Sequence, residues 1–182
     1  MKFQSQRLID TLQSQVRVMI LEADRLRHLP PATLQAQPAP GRWSVAQVME
    51  HLNFYNRHYV PAIRARLEGH HTQPATSFRP GWLGDYFTKL MQPGENGTIA
   101  KKMKAPKNAV PAAQPDGQAQ LERFIAYQQE LLVLLDNARG ANLGSIRIPT
   151  SLSSLLALKL GDTFRFLIAH QQRHFVQIAA MI

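Results

Sequence analysis

Apolar residues recur at three- and four-residue steps in four long stretches of this chain. That spacing commits it to amphipathic helices packed on one another. The first stretch runs from about Phe3 to His28, with Leu8, Leu12, Val16, Met19, Ala23 and Leu26 on one face. Pro30 and Pro31 end it, because proline has no N–H to donate and restricts the residue before it. The second follows a loop of Pro38, Pro40 and Gly41. Ser44 as N-cap with Gln47 three residues on reads as a capping box, and Trp43 with Val48 as a hydrophobic staple. This helix is expected to reach about Leu67, to kink at Pro61 and to stop at Gly69. The third spans about Gly117 to Ala138, with Leu121, Phe124, Ile125, Gln128, Leu131, Leu132 and Leu135 giving its period, and Gly140 ends it. The fourth starts at Asp162, read as its N-cap, and runs to the end of the sequence. No alternating pattern of useful length marks a strand, and Ile146 to Leu160 fits either a short helix or an extended run. The expected fold is all-α, a helical bundle in one domain over residues 1–182.

A long connection joins the second and third helices. Between about His70 and Asp116 lie Pro74, Pro80, Pro93, Pro106, Pro111 and Pro115, half of the prolines in the chain. One short helical piece, Trp82 to Met91, interrupts it. A connection of this length is usually functional or mobile, and this one could fold over a site as a lid.

Composition narrows the chemistry. There is no cysteine, so a disulfide framework, a thiolate metal site and a cysteine nucleophile are all excluded, and any metal must be held by His, Asp or Glu. No apolar run approaches the roughly 18 residues that a membrane span needs, so no membrane partner is expected. The polar start, Met1-Lys2-Phe3-Gln4-Ser5, lacks the continuous apolar stretch of a secretory signal, and the cytoplasm is the expected compartment. The formal net charge is +9, but the basic residues are scattered. Lys101, Lys102, Lys104 and Lys107 form the one tight cluster. Nothing resembles a recognition helix or a zinc finger, so nucleic acid is not the expected partner.

Seven histidines remain as candidate ligands. His170 and His174 stand four residues apart, one turn along one helical face, where two imidazoles can share an ion. Leu167, Ile178 and Met181 lie on the same stripe, which points both rings at the interior. They are then either metal ligands or core histidines bonded to neighbouring polar groups. A third ligand must come from another helix, and His51, at the edge of the face carrying Val48, Leu52 and Tyr55, is the best candidate. His58 lies about 10 Å further along that axis by the helical rise and is read as cleft lining or a satisfied surface histidine. His70 and His71 are expected in solvent, and His28 at a helix C-terminus, where its imidazole suits the dipole.

Two motifs carry a resemblance. Pro40-Gly41-Arg42-Trp43-Ser44-Val45-Ala46-Gln47-Val48-Met49-Glu50-His51-Leu52 resembles the second-helix entry of the DinB-like (DinB/YfiT-like) family. His170-Gln171-Gln172-Arg173-His174-Phe175-Val176-Gln177-Ile178 resembles its fourth-helix motif, and order and separation match. The middle loop, with Gly81-Trp82-Leu83-Gly84 and Lys101-Lys102-Met103-Lys104-Ala105-Pro106, is similar to that of one branch. The resemblance implies a four-helix bundle with a three-histidine divalent-metal site, the ligands being His51, His170 and His174 and the metal zinc or nickel. Three protein ligands leave a position open, which is the arrangement of a catalytic site. Characterised relatives include thiol-dependent transferases and isomerases that use low-molecular-weight thiols such as bacillithiol or mycothiol.

Two functions are therefore weighed. One is a metal-dependent enzyme acting on a small-molecule substrate, a thiol-dependent S-transferase or a related hydrolase. Arg57 and Arg173 are candidates to hold carboxylates, although both are read first as solvated. Arg173, about 100° round the helix from its neighbours, is expected to face away from the metal. Glu50 lies off the His51 stripe and is a weak acid/base candidate. The other function is a non-catalytic bundle in which a metal clips the second helix to the fourth. It would act through a partner or as a homodimer, with the Lys101–Lys107 loop as contact surface.

Overall fold

A computed structural model of the chain describes residues 1–94, 97–99, 103–153 and 155–182. Lys101 and Lys102, half of the basic cluster, lie outside the described residues. The architecture is all-α in class, with six helices and only strands of two or three residues among the described residues. No helix among them is long and apolar enough to cross a membrane.

Helix α1 spans Ser5–Arg27 and buries the expected stripe, Leu8 through Leu26. The prolines end it as expected, but Pro31 then opens a further five-residue helix, α2 (Pro31–Gln35). A proline at the first helical position costs nothing there, because that N–H has no partner in any helix. Helix α3, Val45–Glu68, begins with the capping box: the Gln47 N–H donates to Ser44 Oγ at 3.3 Å and the Ser44 N–H to Gln47 Oε1 at 3.0 Å. It passes through Pro61 and stops at Gly69.

The long connection is structured where the chain touches the helices. Strand β1 (Phe3–Gln4) pairs antiparallel with β2 (Ser77–Phe78). Helix α4 covers Trp82–Met91, and a 3-10 turn covers Lys107–Ala109. Helix α5 is Gly117–Asn137, capped by the Asp116 carboxylate on the Ala119 N–H. The ambiguous segment is a hairpin, β3 (Arg147–Pro149) against β4 (Ala157–Lys159), with Ile148 opposite Leu158.

Helix α6, Leu160–Ala179, leaves that hairpin directly, which corrects the reading of Asp162. Lys159 is the N-cap, and no side chain caps the helix. Instead the Leu160 N–H donates to Ile146 O at 2.9 Å and the Gly161 N–H to Leu143 O at 3.0 Å. Main-chain carbonyls thus serve the donors a cap would have served, and Asp162 is free for a tertiary role. It is 1% exposed, accepts the Gly81 N–H at 2.8 Å and pairs with Arg165, which also reaches Asp85 at 2.9 Å. Helix α4 is fastened to α6 through these groups.

Paired contacts set the helix directions. Asn53 meets Gln120 and Arg64 pairs with Glu130, so α3 and α5 run parallel. Gln118 bonds to Arg27 O while Arg139 bonds to Asp10, so α1 runs antiparallel to α5. Gln171 donates to Asn56 at 2.8 Å, and the rings of Tyr59 and Phe166 stand 6.0 Å apart, so α6 runs antiparallel to α3. Between these helices Val16, Val48, Met49, Ile63, Phe124, Leu131, Phe164 and Leu167 form one core.

The seating of α4 has a direct test. A Cβ at Gly84 would stand 2.4 Å from the Asp162 side chain, whereas one at Gly140 meets nothing within 4 Å. Gly84→Ala should lower stability in urea by about 1–3 kcal/mol despite alanine's better helix propensity, because the clash displaces packed groups. Gly140→Ala should stay within about 0.5 kcal/mol. An unchanged midpoint for Gly84→Ala would contradict the close packing of α4 on α6.

Candidate metal centre

The capping box fixes where α3 begins, and two turns later it presents His51. The antiparallel α6 presents His170 and His174 at the same level. All three are buried, with 3%, 4% and 9% of their surface exposed. His51 Nε2 stands 3.3 Å from His170 Nε2, and His174 Nε2 stands 3.2 Å from the same atom. One ligand nitrogen from each of the three lies within 4.8 Å of the others. Nitrogens bound about 2.0–2.1 Å from one tetrahedral ion stand about 3.3–3.4 Å apart. The two pairs through His170 have that spacing, and all three ligand atoms lie within 4.8 Å of one another, so the cluster could hold one cation.

The hydrogen bonds around the cluster reinforce the fit. His51 Nδ1 lies 2.7 Å from Ala109 O, and a carbonyl only accepts, so Nδ1 carries the hydrogen and Nε2 a lone pair. His174 Nδ1 lies 2.9 Å from Gln177 Oε1, which leaves His174 Nε2 in the same state. His170 faces both lone pairs, and its own Nδ1 is buried without a hydrogen-bond partner. With its hydrogen on Nε2 it can serve only one neighbour; with the hydrogen on Nδ1, three lone pairs meet. Either way the side chains alone leave acceptors unsatisfied, which buried polar groups rarely tolerate. One divalent cation would take all three Nε2 lone pairs, leaving the His170 Nδ1–H as a buried donor without a partner.

Burial keeps the rings neutral, as ligation requires. It pushes His51 below its ordinary value of 6.5, with the Ala109 bond opposing. It pushes His170 well below, and His174, His51 and Arg173 add to the effect. It pushes His174 down to about 3.

Further residues position these three. Glu50, off the His51 stripe, is not beside the cluster; its carboxylate accepts the Ala112 N–H at 2.6 Å. Gln47 Nε2 donates to Ala112 O at 3.0 Å and Ala113 O at 3.2 Å. Together they anchor the segment whose 3-10 turn aims Ala109 O at His51. Trp43 and Tyr55 pack on the imidazoles, with ring centroids 4.9 Å from His51 and 4.6 Å from His170.

A small pocket of about 90 Å³ opens on the cluster, lined also by Met91 at the end of α4, by Met103–Pro106 and by Arg173. This corrects the expectation for Arg173. It is 8% exposed and shares the wall with His174, because a 100° offset places a long side chain beside its neighbour rather than behind it. Arg57, in contrast, is exposed as expected. His58 is satisfied by Pro149 O at 3.1 Å, and His28 caps α1 and bonds to Asp24 O. His71 is exposed, but His70 is half-buried and accepts from Thr72 rather than standing free in solvent. Tyr55, four residues after His51, had a signal in that spacing; Ala109 had none, since its contribution is a backbone carbonyl.

The histidines predict a pH dependence. Their folded pKa values lie below 6.5, so the unfolded chain binds more protons in acid. Their stabilising share is complete above about pH 6.5 and is lost as the pH falls toward the folded values, which for His174 means toward about 3. Urea unfolding of metal-free protein between pH 6.5 and 5 should show stability falling by up to about 4 kcal/mol per pH unit, and His174→Gln should remove about a third of that slope. A flat profile would contradict three buried neutral imidazoles.

Residues 14–178, a span that includes all three histidines, match the DinB superfamily. No curated protein and no solved structure matches the chain. With most of its length inside the family match and the motif histidines brought together by α3 and α6, the chain belongs to the DinB superfamily.

Proposed function

We propose that the chain is a metal-dependent enzyme, a four-helix bundle of the DinB/YfiT type in one domain over residues 1–182. In this reading His51, His170 and His174 hold one divalent ion, zinc or nickel. With an ion held there, the chemistry the site would supply is thiol-dependent S-transfer to a small-molecule substrate or a related hydrolysis. One observation carries the reading: His170 Nε2 stands 3.3 Å from His51 Nε2 and 3.2 Å from His174 Nε2, and those two neighbours have lone pairs fixed by bonds at Nδ1. Neutral imidazole suits zinc and nickel alike.

A bound ion of this kind supplies a Lewis-acidic position that lowers the pKa of a thiol or water placed there. The chain supplies the rest. Ala109 O and Gln177 Oε1 hold two imidazoles in the ligating tautomer. Trp43, Tyr55 and Met91 wall the pocket and limit water. Burial pushes the Tyr55 phenol up to about 12, so it stays protonated and offers an O–H donor. Arg173 and Lys104, on the same wall, favour a substrate or thiol that carries negative charge.

Protein purified without chelator should carry about one zinc or nickel per chain by elemental analysis. His51→Ala, His170→Ala and His174→Ala should each lose it. Retention in all three variants would end the proposal. With the metal in place, consumption of a low-molecular-weight thiol by an electrophile should stop in the same variants and on chelation. Stoichiometric metal without any such turnover would instead favour a structural clip between α3 and α6.

A further inference from the structure

We propose that the groove between α3 and α5, bounded by Asn108–Ala112, is a binding site for a small organic anion, held by the guanidinium groups of Arg57 and Arg123. This site adjoins the pocket over the three histidines, with His51 lining both, but its charged groups are not those of that pocket.

The parallel course of α3 and α5 builds it. Asn53 Nδ2 donates to both Gln120 O and Gln120 Oε1 at 2.8 Å, which welds the two helices at that level. Arg57 follows Asn53 by four residues and Arg123 follows Gln120 by three, so each arginine rises one turn beyond the weld, on the same side. Both line one cleft of about 170 Å³. The Arg57 guanidinium rests over the Phe54 ring, 5.8 Å from its centroid, a contact that orients the charge without neutralising it. Neither arginine has a carboxylate partner among the described residues.

The other lining groups point to the same ligand. The one carboxylate in the wall, Glu50, is engaged by the Ala112 N–H at 2.6 Å. Tyr127 and Asn108, both able to donate a hydrogen bond without charge, also line the cleft. Two planar guanidiniums with flanking donors match the paired oxygens of a carboxylate or a phosphate. The cleft also shares His51 with the histidine pocket, but on the flank of the Asn108–Ala112 segment, where Nδ1 bonds to Ala109 O. An anion seated here touches the segment that orients His51.

The test is an NMR titration of the full chain as purified, and of its His174→Ala variant, with inorganic phosphate and separately with succinate at constant ionic strength. Amide shifts at Asn108, Ala109, Ala112, Gln120 and Arg123 should saturate with half-saturation near or below about 1 mM in both proteins. Binding retained in His174→Ala separates this site from the metal reading, which can fail independently. Saturation by phosphate alone assigns a phosphate ester and by succinate alone a carboxylate. Saturation by both assigns a site that reads charge. Arg57→Gln with Arg123→Gln should weaken binding at least tenfold, while Arg7→Gln with Arg66→Gln, an equal loss of charge elsewhere, should leave it unchanged. No saturation with either anion overturns the proposal. Binding that survives the first pair of substitutions, or is lost equally in the second, also overturns it.

Discussion

Three neutral imidazoles buried against one another are a costly arrangement without a cation, and the site region is built around holding them there. Each ring is removed from water, two have their hydrogens committed to Ala109 O and Gln177 Oε1, and the third has a buried nitrogen with no partner. Desolvation prevents them from escaping the conflict by taking up protons. The unmet lone pairs are the physical content of the site, and a cation held among them would satisfy them.

The surrounding fold keeps that convergence in register. The capping box sets the start of α3 and so the turn on which His51 falls. One turn past His51 the buried Asn56–Gln171 bond ties α3 to α6. On the far side of α6, Asp162 and Arg165 secure α4, whose last residue, Met91, reaches the pocket wall. Glu50 and Gln47 reach from α3 to the connecting segment and hold its backbone against His51. The connection thus serves as part of the site wall, in keeping with its length.

Periodicity made the long helices legible, because their buried faces are regular: α1 and α3 lie within two residues of their expected ends, and α4 matches at both. The two histidine motifs were legible for a related reason, since i and i+4 positions on a buried stripe must meet whatever faces them. What escaped were features written in the backbone. The β3–β4 hairpin has only three residues per strand, too few for an alternating pattern to declare itself. The true cap of α6 is a pair of carbonyls from Ile146 and Leu143, which left Asp162 looking like a cap it is not. The orienting group on His51 is likewise a carbonyl, 58 residues away in sequence. Arg173 was misplaced because helical angle alone ignores the reach of a long side chain.

The central claim is that His51, His170 and His174 bind one ion together. X-ray absorption at the edge of the bound metal measures this directly. The account predicts three imidazole nitrogens at about 2.0–2.1 Å and one or more oxygen or sulfur ligands at the remaining positions, with one imidazole lost in His51→Ala. A shell with no imidazole scattering, or one unchanged by that substitution, would contradict it.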